Sequence, residues 1–382
     1  MNESPSIRRV VVATGTRAEF GLLETVMRAI DRHPELELLT VVAGAHLLEP
    51  AETWREVARS YDIAEQIPMQ RTAAPTRLED AAALGRGIEG FANAYTRLEP
   101  HWVVVLGDRI EAFAATAAAS IGGIAVAHLH GGDRAEGVAD EAMRHAITKL
   151  AHVHCPATEQ SAARIERMGE PRDRIHVVGS PAIDVLSQIE PLDDEAWRQL
   201  GEPQFVVLFH PVGRSAQDEA SDAAAILNGL AGSRILALHP NHDPGRDGVL
   251  SALTDAESKQ DALAVVPHLE RRRFVGLLRR LRSSGGVLIG NSSAALIEAA
   301  ALGVPAVDIG PRQGGRERAG NVVHIDGPAE GELKAAISKA QSIGDSSISH
   351  PYGDGRTGER VAALLASIDP VQSGYLRKRS VY

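Results

Sequence analysis

Cysteine is nearly absent: Cys155 is the one thiol in 382 residues. A single thiol cannot close an internal disulfide, so a secreted, disulfide-stapled scaffold is excluded and a reducing cytoplasm is the simplest setting. Excess positive charge is missing too. With 40 Lys and Arg against 50 Asp and Glu, the net charge of −10 argues against wrapping nucleic acid by neutralising its phosphates. No apolar run approaches the roughly eighteen residues of a membrane span. The opening MNESPSIRRV lacks the apolar core of a signal peptide. The expectation is a chain that neither crosses nor enters a membrane. Two phosphate-binding signatures are also lacking, the glycine fingerprint of dinucleotide folds and the Walker lysine pattern.

What is present is the composition of an ordinary globular chain, 44% hydrophobic, 24% charged and 4% aromatic, neither disordered nor fibrous. At about 150 residues per domain the length suits two domains. Short runs rich in Val and Ile recur, each closed by Gly, Asn or Pro and followed by a segment of helical period. That rhythm predicts β–α–β units with parallel strands buried on both faces. Strands are expected at Arg9–Ala13, Leu38–Ala43, Trp102–Leu106, Ala125–His128, His152–Pro156 and Ile175–Val178, with helices such as Leu22–Asp31, Glu111–Ile121, Glu141–Leu150 and Glu159–Met168 between them.

The pattern pauses through Gln188–Pro203 and restarts at Phe205–Phe209, Ile235–Leu238, Ala264–Val266, Val287–Ile289 and Ala306–Ile309. Two consecutive doubly wound α/β domains follow, 1–180 and 181–356, with Asp184–Ile189 a short helix opening the second. No strand follows the helical segment Thr357–Ile368, so it is expected to cross back onto the first domain, with the tail Arg377-Lys378-Arg379 solvated and frayed.

Ligands of such sheets bind beyond the carboxyl ends of the strands, and the residues there are unusually polar. They are Thr14-Gly15-Thr16-Arg17, Gly107-Asp108-Arg109 and His130-Gly131-Gly132-Asp133 in the first half. The second half adds His210-Pro211, His239-Pro240-Asn241-His242-Asp243 and Gly290-Asn291-Ser292-Ser293. Gly, Asp, Asn and Ser are ordinary turn and cap residues, so one such loop says little; six together suggest two rims facing across an interdomain cleft, and an enzyme. In Gly290–Glu298 small hydroxyl residues open a helix, whose free N–H groups suit a diphosphate. Glu298, six residues past Ser292, would lie roughly 9 Å further along that helix at 1.5 Å per residue, within reach of a ribose. A nucleotide-sugar fits better than NAD or a hydrolysable triphosphate.

Arg17, Arg109 and Arg312 follow strand ends and could clamp phosphates, although surface ion pairing is the commoner fate of an arginine. Arg271-Arg272-Arg273 with Arg279, Arg280 and Arg282 reads as the solvated face of a helix. His152 and His154, beside Cys155, supply two ligands where zinc needs three or four, so packing is the better reading and no metal site is expected.

Gly15-Thr16-Arg17-Ala18-Glu19-Phe20-Gly21, Gly107-Asp108-Arg109, His128–Asp133, Asp140–Leu150 and Gly290-Asn291-Ser292-Ser293 together resemble, in order, the hydrolysing UDP-N-acetylglucosamine 2-epimerase family, which makes precursors of sialic and legionaminic acids. The resemblance implies a GT-B-like pair of Rossmann domains, a homodimer, no cofactor, and a nucleotide-sugar bound in the cleft. By motif match Arg17, Arg109, His130, Arg144, His210, Asn241, His268, Ser292, Ser293, Glu298 and Arg312 would hold the substrate. Asp108, Asp133, Asp140 and Glu141 would be the acid/base carboxylates, with His210 near the departing phosphate. Two departures stand out. The family usually has Glu where this chain has Asp133, and Gly21 replaces a residue that is often a hydroxyl or larger. A glycosyltransferase of the same fold would share the Ser292–Glu298 signature without needing those acids, and a non-hydrolysing epimerase carries Glu-Ala-Gly in place of His130-Gly131-Gly132. A nucleotide-sugar sensor without catalysis is the third alternative. Uracil or guanine, and the substituents at C4 and C6, stay open.

Overall fold

Two sheets of six parallel strands account for the apolar runs in a computed structural model that describes residues 7–71, 76–134, 141–241, 243–343, 348–371 and 374–381, leaving aside the Arg77 side chain. The chain divides into two units. One takes the described residues of Met1–Asp133, Asp140–Asp184 and Gly353–Tyr382, the other those of Arg134–Ala139 and Val185–Tyr352.

In the first unit the strands are β1 (Arg8–Thr14), β2 (Leu36–Ala43), β3 (Ile63–Ile67), β4 (Trp102–Leu106), β5 (Ala125–Leu129) and β6 (Val153–Cys155), in the spatial order β3-β2-β1-β4-β5-β6. The helices between them are α1 (Arg17–Asp31), α2 (Trp54–Val57), α3 (Arg77–Leu98), α4 (Ile110–Ile121), α5 (Glu141–Leu150) and α6 (Glu159–Arg167). Val10, Val11 and Val12 of β1 are all fully buried, because one face packs under α1 and the other under α3 and α4. β3 was not expected from the sequence. As an edge strand reading IAEQI it is exposed at every second position, Ala64 and Gln66, and buries only Ile67 at its end.

The second unit repeats the winding. Strands β7 (Phe205–Leu208), β8 (Ile235–Leu238), β9 (Leu263–Val266), β10 (Val287–Gly290), β11 (Ala306–Ile309) and β12 (Val322–Ile325) lie in the order β12-β11-β10-β7-β8-β9. The helices are α7 (Asp194–Gln199), α8 (Ala216–Gly229), α9 (Arg246–Glu257), α10 (Arg271–Ser283), α11 (Ser293–Leu296), α12 (Glu298–Leu302) and α13 (Glu330–Gln341). The last helix, α14 (Thr357–Ser367), packs on α1 of the first unit. Val361 and Leu365 are fully buried there, each contributing about 1.5–3 kcal/mol. The Gly358 backbone lies so close to Thr25 O that a Cβ would collide with it. α14 has no capping side chain of its own. Its first N–H groups, of Thr357 and Gly358, donate instead to the Asp184 carboxylate at 3.0 and 2.8 Å.

Three local expectations are corrected. Ile175–Val178 forms no strand beyond a single bridge to His154, although His176 N and Val178 N still donate to His154 O and Pro156 O at 2.9 and 3.1 Å as the chain passes β6. Asp184–Ile189 is only a 3₁₀ turn at Leu186–Gln188, entered through Val185 at a φ of +58°. The tail is not frayed. Lys378 Nζ pairs with buried Glu170 at 2.7 Å and donates to Ala151 O at the end of α5, and Val381 N donates to Gly169 O at 2.8 Å. Among the described residues no helix is long and apolar enough to cross a membrane.

Candidate active site

In both units the strand order reverses between the first strand and the fourth, β1 beside β4 and β7 beside β10. At such a switch point the following loops leave in opposite directions and open a crevice for a ligand. Four of the six polar loops follow these strands, after β1, β4, β7 and β10, and the other two follow the neighbouring strands β5 and β8.

Asp108 follows β4. Its loop is held from below by buried His128, whose Nε2 lies 2.8 Å from Gly107 O. Burial drives the His128 pKa down to about 3, so the ring is neutral and Nε2 carries the proton given to that carbonyl. Arg144 rises from α5, buried, and its guanidinium donates to Asp108 Oδ2 and, at 2.8 Å, to Asp133 O. The sequence places Arg144 on the substrate; the geometry turns it to the acids. Asp133 is buried, with Oδ2 2.7 Å from His130 Nδ1 and Oδ1 accepting from Ser161 Oγ at 2.8 Å. His130 Nε2 lies 3.0 Å from Ser180 Oγ. Glu141 opens α5, 3.4 Å from His145 Nε2. Asp140 lies outside the described residues. Asp108, His130, Asp133 and Arg144 are thus one connected cluster at the ends of β4 and β5.

Arg17 and Arg109 line the same edge of the sheet but pair with carboxylates, Glu56 at 2.8 Å and Glu111 at 3.5 Å. Sequence reasoning gave no role to the buried acids beneath them. Glu111 accepts from Gln70 Nε2 at 2.8 Å and Ala45 N at 3.3 Å; Glu19 accepts from Gly15 N at 2.6 Å. Burial raises the Glu19 carboxyl to about 8, opposed by its bond from Gly15 and helped by repulsion from Glu111. Their signal was positional: each is an acid in the first turn of the helix after a switch-point strand. His46, 3.0 Å from Thr14 Oγ1, completes the group, its pKa pushed to about 4 by burial.

In the second unit His210 follows β7 and is gripped by Asn291. His210 N donates to Asn291 Oδ1 at 2.7 Å and Asn291 Nδ2 donates to His210 O at 2.8 Å. Its Nδ1 accepts from Asn241 N at 3.1 Å. Burial, then Arg312, lowers the His210 pKa to about 3, so the ring is neutral with its proton on Nε2. Arg312 reaches Asp243 and Asn291 O, both at 3.4 Å, and Asn241 Nδ2 donates to Asp243 at 2.6 Å. Ser292 caps α11 and Ser293 begins it. These residues form a second cluster, in which Arg312, already facing the Asp243 carboxylate, stands with a neutral imidazole, two side-chain amides and small hydroxyls, a donor set that can take a diphosphate. His268, after β9, is exposed.

Two expectations fail here. The helix after Ser292 is not continuous: α11 is one turn, Ile297 breaks it at φ −105° and ψ −73°, and α12 restarts at Glu298. The straight-helix distance from Ser292 to Glu298 therefore does not apply, and Glu298 Oε1 faces Arg271 at 3.3 Å. The arginines of α10 are not simply solvated. Besides Arg271, Arg279 donates to Leu186 O at 3.3 Å, Arg280 pairs with Asp194 at 2.6 Å and Arg282 donates to Gly303 O. His154 pairs with Glu170 at 3.0 Å, and His152 Nδ1 accepts from Val126 N at 3.1 Å. Burial lifts the Cys155 thiol to about 12, an inert packing group.

Comparison with known proteins identifies the family and the fold. The family profile described as UDP-N-acetylglucosamine 2-epimerase matches residues 28–366. A UDP-N-acetylglucosamine 2-epimerase of Neisseria meningitidis serogroup B is 33% identical over 370 residues, 94% of this chain and 95% of its own. The UDP-N,N'-diacetylbacillosamine 2-epimerase (hydrolyzing) of Legionella pneumophila is 33% identical over 388 residues, 98% of this chain and 100% of its own. Among solved structures, the Methanocaldococcus jannaschii UDP-GlcNAc 2-epimerase in complex with UDP-GlcNAc and UDP superposes with a TM-score of 0.78 at 17% identity, covering 94% of this chain and 100% of that one. Its likeness bears on the fold, two Rossmann-like domains of the GT-B type. With two switch-point clusters on such a fold and a profile spanning most of its length, the chain belongs to the UDP-N-acetylglucosamine 2-epimerase family.

Proposed function

We propose that the protein is a hydrolysing nucleotide-sugar 2-epimerase, taking UDP-N-acetylglucosamine or a related UDP- or GDP-linked 2-acetamido sugar to the free 2-epimer and nucleotide diphosphate. The observation that carries this reading is Asp108 at the end of β4, a partly exposed carboxylate held by the buried Arg144 guanidinium, which a glycosyltransferase does not need. The His130-Gly131-Gly132 turn favours the hydrolysing type, and so does the Legionella relative's name. The meningococcal relative, named without that qualifier, favours the alternative in which the diphosphate is added back.

Inverting C2 without a redox cofactor requires that its proton leave and that the C1–O bond to the diphosphate break, with the C–H electron pair forming the C1–C2 double bond of a glycal. Water then adds its oxygen to C1, and a proton returns to C2 on the opposite face. Asp108 suits the first step, since its carboxylate is partly exposed and its other flank is fixed by a buried guanidinium. In the second unit His210 Nε2–H, Arg312, Ser292, Ser293 and the neighbouring backbone N–H groups would receive the charge developing on the diphosphate. Asn241, His268 and Glu298 complete the nucleotide side; Arg17, Arg109, Asp140 and Glu141 complete the sugar side. By the same resemblance we infer a cytoplasmic homodimer. Incubation with a panel of UDP- and GDP-linked 2-acetamido sugars tests the reading: release of free nucleotide diphosphate with a free sugar supports it, and an epimerised sugar still attached to its nucleotide contradicts the hydrolytic step.

A further inference from the structure

We propose that Asp133, although it stands where the family carries an acid/base glutamate, is a positioning residue that holds His130 and the turn after β5, and does not itself exchange the C2 proton. The inference rests on the epimerase reading and refines it.

An aspartate ends one methylene nearer its own backbone than a glutamate, and here that retraction places the carboxylate within the turn. Its side chain is 4% exposed. Oδ1 accepts from Ser161 Oγ at 2.8 Å and Oδ2 faces His130 Nδ1 at 2.7 Å. The backbone is pinned as well. Arg144 donates to Asp133 O, and Arg164 donates to Gly132 O at 3.2 Å. Gly132, at a φ of +74°, lies against Ser161 O so closely that no Cβ would fit.

The donors and acceptors around the carboxylate can all be matched. Ser180 Oγ accepts from Ala182 N at 3.2 Å, which leaves its hydroxyl proton to donate to His130 Nε2. The imidazole then carries its own proton on Nδ1 and donates it to Asp133. Each donor in the chain Ser180–His130–Asp133–Ser161 has an acceptor, and the carboxylate is the acceptor at its centre. His130 itself sits at a φ of +59°, in the sparsely populated left-handed region, and the contacts to Asp133 and Ser180 fix its ring there. Asp108, by contrast, has a side chain 19% exposed. Of the two, only Asp108 combines a fixed flank with an accessible one.

The test compares Asp133→Asn, His130→Asn and their combination with Asp108→Asn in the full-length protein. Asparagine at 133 still accepts from Ser161, and the imidazole can meet its amide by exchanging tautomers. Asparagine at 130 tolerates the left-handed backbone. The expected result is that Asp133→Asn and His130→Asn each lower kcat by less than about tenfold. The double variant should be no worse than either, and the product should still carry full deuterium at C2 when made in deuterium oxide. Asp108→Asn should lose the 10²–10⁴-fold of a missing acid/base group, as an order of magnitude. Loss of that size in kcat at unchanged KM for Asp133→Asn, with His130→Asn nearly normal, would overturn the positioning role alone. A wild-type protein that turns over no nucleotide-sugar would overturn both this role and the reading beneath it.

Discussion

His210 Nδ1 accepts the backbone N–H of Asn241 at 3.1 Å, and that one contact decides what the other ring nitrogen can do. With its pKa near 3, lowered by burial and by Arg312, the ring is neutral across the physiological range and Nε2 donates without a positive charge. Replacing His210 with Ala should weaken UDP binding, and the ratio of wild-type to variant affinity should stay constant between about pH 5.5 and 8. A histidinium contact would instead make the ratio fall as pH rises through about 6.5. Calorimetric titration of both proteins at several pH values separates the two.

Arg312 stands on the same cluster, reaching Asn291 O and Asp243. Arg312→Ala should cost about 1.5–3 kcal/mol of UDP affinity, the range for hydrogen bonds to charged groups. Arg312→Lys should recover only part of that, since a point charge lacks the planar fork. Unchanged binding in the Ala variant would remove Arg312 from the diphosphate site.

These residues were legible because they follow strands whose apolar runs are plain in the sequence: Val10 to Val12, Trp102 to Leu106 and Val287 to Ile289 are buried on both faces. β3 was not, because an edge strand with Glu65 and Gln66 has no such run. Nor was the partnership of Glu298 with Arg271, which depends on the helix break at Ile297 rather than on any local periodicity. Side-chain direction was equally hidden. Arg144 could be placed on a helix from its period, yet only the packing shows that it turns to Asp108. Lys378 meets Glu170 across 208 residues of chain, a distance over which sequence patterns carry no information.

Glu19 makes stability depend on pH. Burial, opposed by the Gly15 N–H and reinforced by Glu111, lifts its pKa from 4.5 to about 8. The folded protein therefore keeps a proton that the unfolded chain releases above about 4.5, and this contribution to stability falls as pH rises from about 4.5 to about 8. Glu19→Gln has no such proton. Its melting temperature relative to wild type should climb across that window and level off above it; two parallel curves would contradict the assignment.

Asp184 substitutes for the missing cap of α14, accepting from Thr357 N and Gly358 N. Asp184→Ala should destabilise the protein by about 0.5–2 kcal/mol, the cost of losing a helix cap. Asp184→Asn should restore much of this, because one amide oxygen still accepts. Chemical denaturation curves measure both, and an unchanged midpoint for the Ala variant would show that α14 does not rely on this contact.

The most direct test of the proposed reaction is the fate of the C2 hydrogen. Elimination followed by water addition sends that hydrogen to a protein carboxylate and returns one from exchangeable protons. UDP-N-acetylglucosamine turned over in deuterium oxide should give free N-acetylmannosamine with deuterium at C2, UDP released intact, and, read early, an anomeric oxygen derived from solvent. A product that keeps its original C2 hydrogen would contradict the elimination route.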